Sequence, residues 1–238
     1  MTTGGAKAAR LVAEAAAGAR AEEVPQRVCA AVSEGLGMDG ATLSLLTDTP
    51  SRQLLAASNH DALLLEEIQF TVLEGPCLTA AHSGEPVAVD DLRHELTPWP
   101  LFGATMREKL PHVRSVYALP LFFGDYVLGS VDLLALRPHA LGAEALEEAA
   151  SEVADAVSAA LLQIRATLLS GDRAPAWEPE EVVRAHWFDT ARAIGTLVSR
   201  QGLTPENALA LMRAEAFRTG RSLADITTDI LRRPPAAS

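Results

Sequence analysis

Arg200, Arg213, Arg218 and Arg221 fall within one short helical stretch, and planar guanidinium groups suit both phosphate contacts and stacking on unpaired bases. The same four residues also fit a solvated helical face that meets nothing. Cys77 follows Gly75-Pro76 at an expected helix start, where the helix dipole would favour a thiolate, but the reading preferred is a small buried side chain behind a Gly-Pro turn. Asp90 and Asp91 are neighbouring carboxylates, but adjacent residues of an extended segment point to opposite sides, so Asp91 is expected to cap or turn the chain. Gly35-Leu36-Gly37-Met38-Asp39-Gly40 matches G-x-G-x-x-G literally, yet it follows a helix and precedes a strand, the reverse of a dinucleotide fingerprint. It reads as a helix stop and turn. There is no P-loop, G-x-S-x-G or HExxH, and His60, His82, His94, His112, His139 and His186 keep no metal spacing. No catalytic residue, metal or cofactor is expected, and the chain does not read as an enzyme. Phe70, Trp99, Phe102, Tyr117, Phe122 and Phe123 serve either a ligand pocket between sheet and helices or the core itself.

The elements that position these residues are legible from periodicity. Ala6 to Ala21 is alanine-rich and helical, with little area to bury. Val24 to Leu36 places Val24, Val28, Ala31, Val32 and Leu36 on one helical face, with Cys29 on its packed side. Ala41–Thr47 and Gln53–Ser58 read as a hairpin around Asp48-Thr49-Pro50-Ser51. Helical or irregular chain follows over Asp61–Phe70, then a short helix at Leu78–Ser83, a brief strand at Val87–Val89 and a helix at Leu101–Leu110. Ser115–Phe123 and Tyr126–Leu136 are the strongest strands, joined at Gly124-Asp125, and should be central. Ala143 to Leu169 carries Leu146, Ala149, Val153, Val157, Ala160, Ile164 and Leu168 at alternating three and four spacing, a stripe that suits the sheet's back face or a coiled-coil dimer seam. The proline- and glycine-bearing stretch 170–179 is a linker.

Beyond the linker, three apolar stripes are separated by capped turns. Pro179 to Gln201 aligns Val183, Trp187, Thr190, Ile194, Leu197 and Val198; Thr204 caps a helix beginning at Pro205, with Ala208, Leu211, Met212 and Ala216 as its stripe and Gly220 as its stop. Ser222 caps a last helix carrying Leu223, Ile226, Ile230 and Leu231. Helices this short hold together only by burying those stripes against one another.

A length of 238 residues with 48% apolar content allows one sizeable domain plus a small one. The formal charge of −11 argues against a general polyanion binder, but the acidity lies entirely before residue 171: from there on, 9 basic residues face 9 acidic ones. Nucleic acid would be met at that neutral end. Cys29 and Cys77 show no CxxC spacing, which fits a reducing cytoplasm, and neither a secretory signal nor a membrane-spanning run is expected.

Two resemblances follow from the residues. Ala193-x-Gly195-x-Leu197, then Gly202-Leu203-Thr204-x-Glu206-x-Ala208-x-x-Leu211-x-Arg213-x-x-Ala216, then Arg221-x-Leu223-Ala224-Asp225-Ile226, resembles an ANTAR domain, the RNA-binding output module of transcription antiterminators. Ile194 and Ala214 stand where that family often carries cations, and Glu215 where it has a large apolar or aromatic residue. Glu74-Gly75-Pro76-Cys77, Gly84-Glu85-Pro86-Val87-x-Val89-x-Asp91-Leu92, Arg114-Ser115-Val116-x-Ala118-x-Pro120-Leu121 and Leu128-Gly129-x-Val131-x-Leu133 together resemble a GAF domain, which implies a five- or six-stranded sheet flanked by helices and used as a small-molecule sensor.

The expected architecture is α+β, an antiparallel sheet flanked by helices followed by a small all-α three-helix domain. Its parts are a helical segment over 1–23, a GAF-like sensor over 24–169, a linker over 170–179, an ANTAR-like domain over 180–233 and a tail over 234–238. The resemblance implies a homodimeric regulator of transcription antitermination that binds paired stem-loops in nascent RNA, with a small-molecule ligand in the sensor. Arg213 is the foremost expected RNA contact, with Arg218, Arg221 and Arg200 beside it; Ala193, Gly195, Ala208, Leu211 and Ala216 are expected to pack the domain. The alternative is an interaction or dimerisation module whose RNA binding is degenerate, as Ile194, Ala214 and Glu215 suggest. A DNA-binding helix-turn-helix fits less well, because its recognition helix would carry Glu206 and Glu215.

Overall fold

Alternation along two strands sets the centre of the first unit. In β1 (Gly40–Leu46) and β5 (Tyr126–Ala135), Leu43 and Val131 point to one face of the sheet, Thr42, Ser44, Ser130 and Asp132 to the other. The computed structural model describes residues 4–46, 52–124, 126–164, 188–221 and 223–232, and the chain divides into two units, Met1–Trp177 and Glu178–Ser238. The turn at 48–51, the linker at 170–179, Val183, Trp187 and the Ser222 cap lie outside the described residues.

The remaining elements of the first unit are α1 (Gly4–Ala16), α2 (Val24–Leu36), β2 (Arg52–Ala57), α3 (His60–Val72), α4 (Pro76–Ser83), β3 (Val87–Val89), α5 (Pro100–Lys109), β4 (Ser115–Phe123) and α6 (Ala143–Gln163). Five antiparallel strands run in the order β2-β1-β5-β4-β3, so the strong hairpin β4–β5 lies inside the sheet. The stretch 61–70, where the sequence allows a helix or irregular chain, lies in the regular helix α3, which Asn59 caps by accepting the Ala62 N–H at 2.9 Å.

One face of the sheet is apolar. Leu43, Tyr117, Leu119, Leu121, Val131 and Leu133 pack against α2 and α6, and α1 lies across those two helices. The alanine-rich N-terminal helix therefore belongs to this packing, burying Ala8, Val12 and Ala16. It approaches α2 at Gly35, where a Cβ would sit 2.4 Å from Ala8 Cα. The α6 stripe Leu146, Ala149, Val153, Val157, Ala160 and Ile164 is buried here too, on the back of the sheet, while Leu168 lies outside the described residues. Cys29 lies in the same layer, its thiol donating to the Ala41 carbonyl at 2.9 Å, and burial pushes its pKa up to about 12.

The other face is covered by α3, α4 and α5. At its β3 end it is apolar, with Val116 and Leu134 beneath Phe102 and Met106. Two of the sequence blocks meet at its rim. Asp91 accepts from Arg114 Nε at 3.0 Å and Nη2 at 2.6 Å and from the Arg93 N–H at 3.1 Å, with His94 Nδ1 2.7 Å from its Oδ2. The Arg114 guanidinium first, and His94 next, hold this carboxyl well below the usual carboxylate range. Because the folded pKa is depressed, the stabilisation is complete above the unfolded value of about 3.9 and fades as pH falls through it. We expect Asp91→Asn to lower the thermal midpoint at neutral pH, with the gap to the parent closing on acidification. Thermal melts over a pH series check this, and a gap that widens in acid would contradict it.

The second unit holds α7 (Phe188–Gln201), α8 (Pro205–Thr219) and α9 (Leu223–Arg232). Thr204 caps α8 by accepting the Asn207 N–H at 3.2 Å, Pro205 opens it, and Gly220 closes it at φ 64°. The hydroxyls of Thr190 and Thr227 lie 3.2 Å apart in the buried seam between α7 and α9. Among the described residues, no helix is long and apolar enough to cross a membrane.

Candidate functional site

The arginines expected to meet RNA all lie in the second unit, and the helical faces decide which of them reach the surface. The buried residues of α8 are Ala208, Leu209, Met212, Arg213 and Ala216. At 100° per residue these form one stripe, and Leu211 points away from it. Leu211, expected to pack the domain, is 46% exposed, and Leu209 takes the core position instead. Ala193, Ala208 and Ala216 are fully buried. Gly195, also expected to pack, is exposed, and a Cβ built on it meets nothing within 4 Å. Gly195→Ala should therefore raise stability by about 0.5–1 kcal/mol, since an exposed mid-helix glycine carries only its entropic cost. A urea melt of the full chain reads this; a loss of stability would mean that the site is crowded.

Arg213 departs furthest from expectation. Its side chain is inside the helical unit, 8% exposed, and burial lowers its pKa to about 10. It sits in the same stripe as Met212 and Ala216, within the packing of the helical unit. Arg218 and Arg221 do reach the surface. Arg218 is 71% exposed and donates to Glu215 through Nε at 2.9 Å and Nη2 at 2.6 Å; Arg221 Nη1 donates to Asp229 at 2.7 Å. These carboxylates raise both guanidinium pKa values, chiefly through the hydrogen bonds. Arg200 is exposed near the C-terminal end of α7, and Arg192 is exposed near its N-terminal end, where it pairs with Asp189 at 3.0 Å. Arg192 was not singled out by the sequence motifs. Alongside Arg218, α8 also exposes Phe217 (59%) and Leu211.

In the first unit, the Glu74-Gly75-Pro76-Cys77 motif organises the covered face of the sheet. Glu74 Oε2 reaches across sequence to accept the Leu101 N–H at 2.9 Å and the Phe102 N–H at 3.3 Å, capping α5. A Cβ at Gly75 would lie 2.6 Å from Gln69 Oε1, and that same oxygen accepts the Cys77 N–H at 3.0 Å. Leu73, Glu74, Gly75, Leu78, Thr79, His82, Ser83 and Trp99 line a groove of about 500 Å³ outside α4. Of the aromatic residues considered for a pocket, Trp99 lines this groove, donating to Thr79 Oγ1 at 3.1 Å and meeting Phe102 edge to face. Tyr117 and Phe102 are core.

A family model described as GAF domain matches residues 18–162, and one described as ANTAR domain matches residues 190–231. No curated protein matches the chain. Among solved structures, the GAF domain of a phosphoenolpyruvate-protein phosphotransferase from Coxiella burnetii is 18% identical, covering 67% of this chain and 94% of its own, with a TM-score of 0.53. That of an Acinetobacter phosphoenolpyruvate-protein phosphotransferase is 14% identical over 70% and 98%, with a TM-score of 0.52. A free methionine-R-sulfoxide reductase from Neisseria meningitidis, solved with its substrate, is 15% identical over 67% and 89%, with a TM-score of 0.46. At these identities the first two likenesses are of fold alone.

Proposed function

Because the chain belongs to the GAF domain family and carries an ANTAR domain behind that domain, we propose that it is a non-enzymatic, cytoplasmic regulator of transcription antitermination. The observation that carries the reading is the pairing, in that order, of a sensor family with an RNA-binding output family. In this mechanism two copies of the helical unit hold a pair of short stem-loops in nascent RNA, and that form excludes the competing terminator hairpin. Arg200, Arg218 and Arg221 are the contacts, with Arg192 about two turns before Arg200 on α7; Arg213 keeps the helices in register from within. Ligand binding in the sensor shifts how the two copies present their helices, a switch that needs only a few kcal/mol of differential affinity.

Exposed Leu211 and Phe217 favour a second reading, in which α8 docks a protein or a second copy of this chain. Equilibrium binding of the full chain to a paired stem-loop RNA, a single stem-loop and duplex DNA over a salt series separates the two. Salt-dependent binding confined to the paired loops is the expected result. Equal or absent binding to all three, together with salt-insensitive self-association, would establish the second reading instead.

A further inference from the structure

The covered face of the sheet holds a polar centre that the RNA reading leaves without a task. Thr42 stands directly opposite Asp132 across β1 and β5, and Ser44 opposite Ser130, so all four side chains rise from the same face, beneath α3 and α4. Glu66 and Gln69 come down on them from one face of α3, and Cys77 from the first turn of α4. All of these are buried, Glu66 at 3% and Thr42, Gln69, Cys77 and Asp132 at 0% exposure.

We propose that Glu66, Cys77 and Asp132 form a binding site for a divalent first-row transition ion of the zinc or ferrous class. One carboxylate oxygen of Glu66, one of Asp132 and the Cys77 sulfur lie within 4.8 Å of one another. An ion centred among three atoms at that spacing stands about 2.8 Å from each at most, against roughly 2.0–2.3 Å for zinc bonds to carboxylate and thiolate. Drawing the ligands in by about half an ångström completes the site. Two oxygens and one thiolate select neither magnesium nor calcium, which take all-oxygen sets, but a borderline ion.

The surroundings are those of a held ligand set. Asp132 Oδ2 accepts from Gln69 Nε2 at 2.7 Å and its Oδ1 from Ser130 Oγ at 3.0 Å, which fixes the orientation of the carboxylate. The Gln69 amide is itself fixed, its oxygen taking the Cys77 backbone N–H. Independently of these three, Thr42 Oγ1 is fully buried with no hydrogen-bond partner among the described residues, on the strand position facing Asp132. A buried hydroxyl left so costs about 1–3 kcal/mol and is explained by a group absent from the protein chain. Water or a small ligand on the ion's open position supplies that partner. Among the described residues of this unit no lysine, arginine or histidine is buried, so a dication is also the charge that matches two buried carboxylates.

The test uses the full chain and does not involve RNA, so it stands apart from the antitermination reading. Cobalt(II) is titrated as a spectroscopic stand-in, then displaced by zinc. One equivalent should bind with a thiolate-to-cobalt charge-transfer band, which zinc abolishes and magnesium leaves intact. Cys77→Ser should remove the band while Cys29→Ser keeps it, and Glu66→Gln and Asp132→Asn should each weaken binding at least tenfold. The two carboxylate variants are isosteric and remove buried charge, so their metal-free folds should persist; should Cys77→Ser not fold, their loss of the zinc-dependent rise in thermal midpoint decides the matter. The absence of a thiolate band, a band that survives Cys77→Ser, or carboxylate variants that bind as the parent does would overturn the site.

Discussion

Alanine at Gly129 should break the sheet of the first unit. Gly129 lies on β5 opposite Leu45 of β1, and a Cβ there would stand 2.0 Å from the Ser44 carbonyl oxygen and 2.8 Å from Leu45 Cα. Both are backbone atoms of a neighbouring strand, so no rotamer change relieves the clash. The strands must part or slip, and β1 is already irregular at this point, its pairing with β2 shifting between Leu43 and Ser44. A one-residue slip would send Leu43 and Leu45 to the polar face and Ser44 into the apolar core. Overpacking of this kind costs about 3 kcal/mol or more, a large share of the roughly 5–15 kcal/mol that holds a domain folded. Gly4, where a Cβ meets nothing within 4 Å, is the control and should tolerate alanine. Urea denaturation of the full chain, followed through the first unit, measures the difference; an unchanged midpoint for Gly129→Ala would mean that the strands are further apart than described.

Local chemistry made much of the fold legible. Thr204, Pro205 and Gly220 bracket α8 because each supplies something the helix ends lack: an acceptor, a pre-set φ, a left-handed residue. The β4–β5 hairpin was legible for the same reason, its apolar runs being long and separated by a glycine that takes φ 58°. What escaped was decided by neighbours in space. Leu209 and Leu211 are chemically the same and both sit near a sparse, alanine-filled stripe, so periodicity alone could not choose between them. Arg213 was placed outside because arginine is rarely buried, and only the packing of three short helices encloses it.

The polar centre was hidden by a rule that usually holds. Thr42 and Ser44 alternating with Leu43, and Ser130 and Asp132 with Val131 and Leu133, is the pattern of a sheet with one face in water. Here α3 and α4 cover that face. The signal that could have revealed it is Glu66 and Gln69, which continue the helical stripe of Ala62 and Leu65 at i+4 and i+7, followed by Cys77 at the next helix start. Their meeting with Asp132 spans more than fifty residues of sequence, beyond any local metal spacing.

RNA affinity should fall by about a hundredfold when Arg218 and Arg221 are both changed to glutamate, because two phosphate contacts are lost and two repulsions are gained. With both changed to alanine, the slope of log affinity against log salt should shrink by about 0.7 for each contact removed. Folding should scarcely notice either change, since the partners Glu215 and Asp229 are themselves on the surface and such pairs contribute little. Glu215 gives the opposite sign. It holds the Arg218 guanidinium in two hydrogen bonds and adds a negative charge where a phosphate would approach. Glu215→Ala should therefore strengthen RNA binding severalfold, converting the departure from the family pattern into a measurable handicap. Arg213→Ala should also abolish binding, but through the loss of the packed unit, with a lower melting point and reduced helicity that the surface variants do not show. Salt-series binding isotherms and circular dichroism on the same preparations separate the two modes. If Arg213→Ala lost RNA while keeping its helices, the buried arginine would have to emerge on binding, and the contact surface would be the interior of the unit rather than the face that carries Arg218.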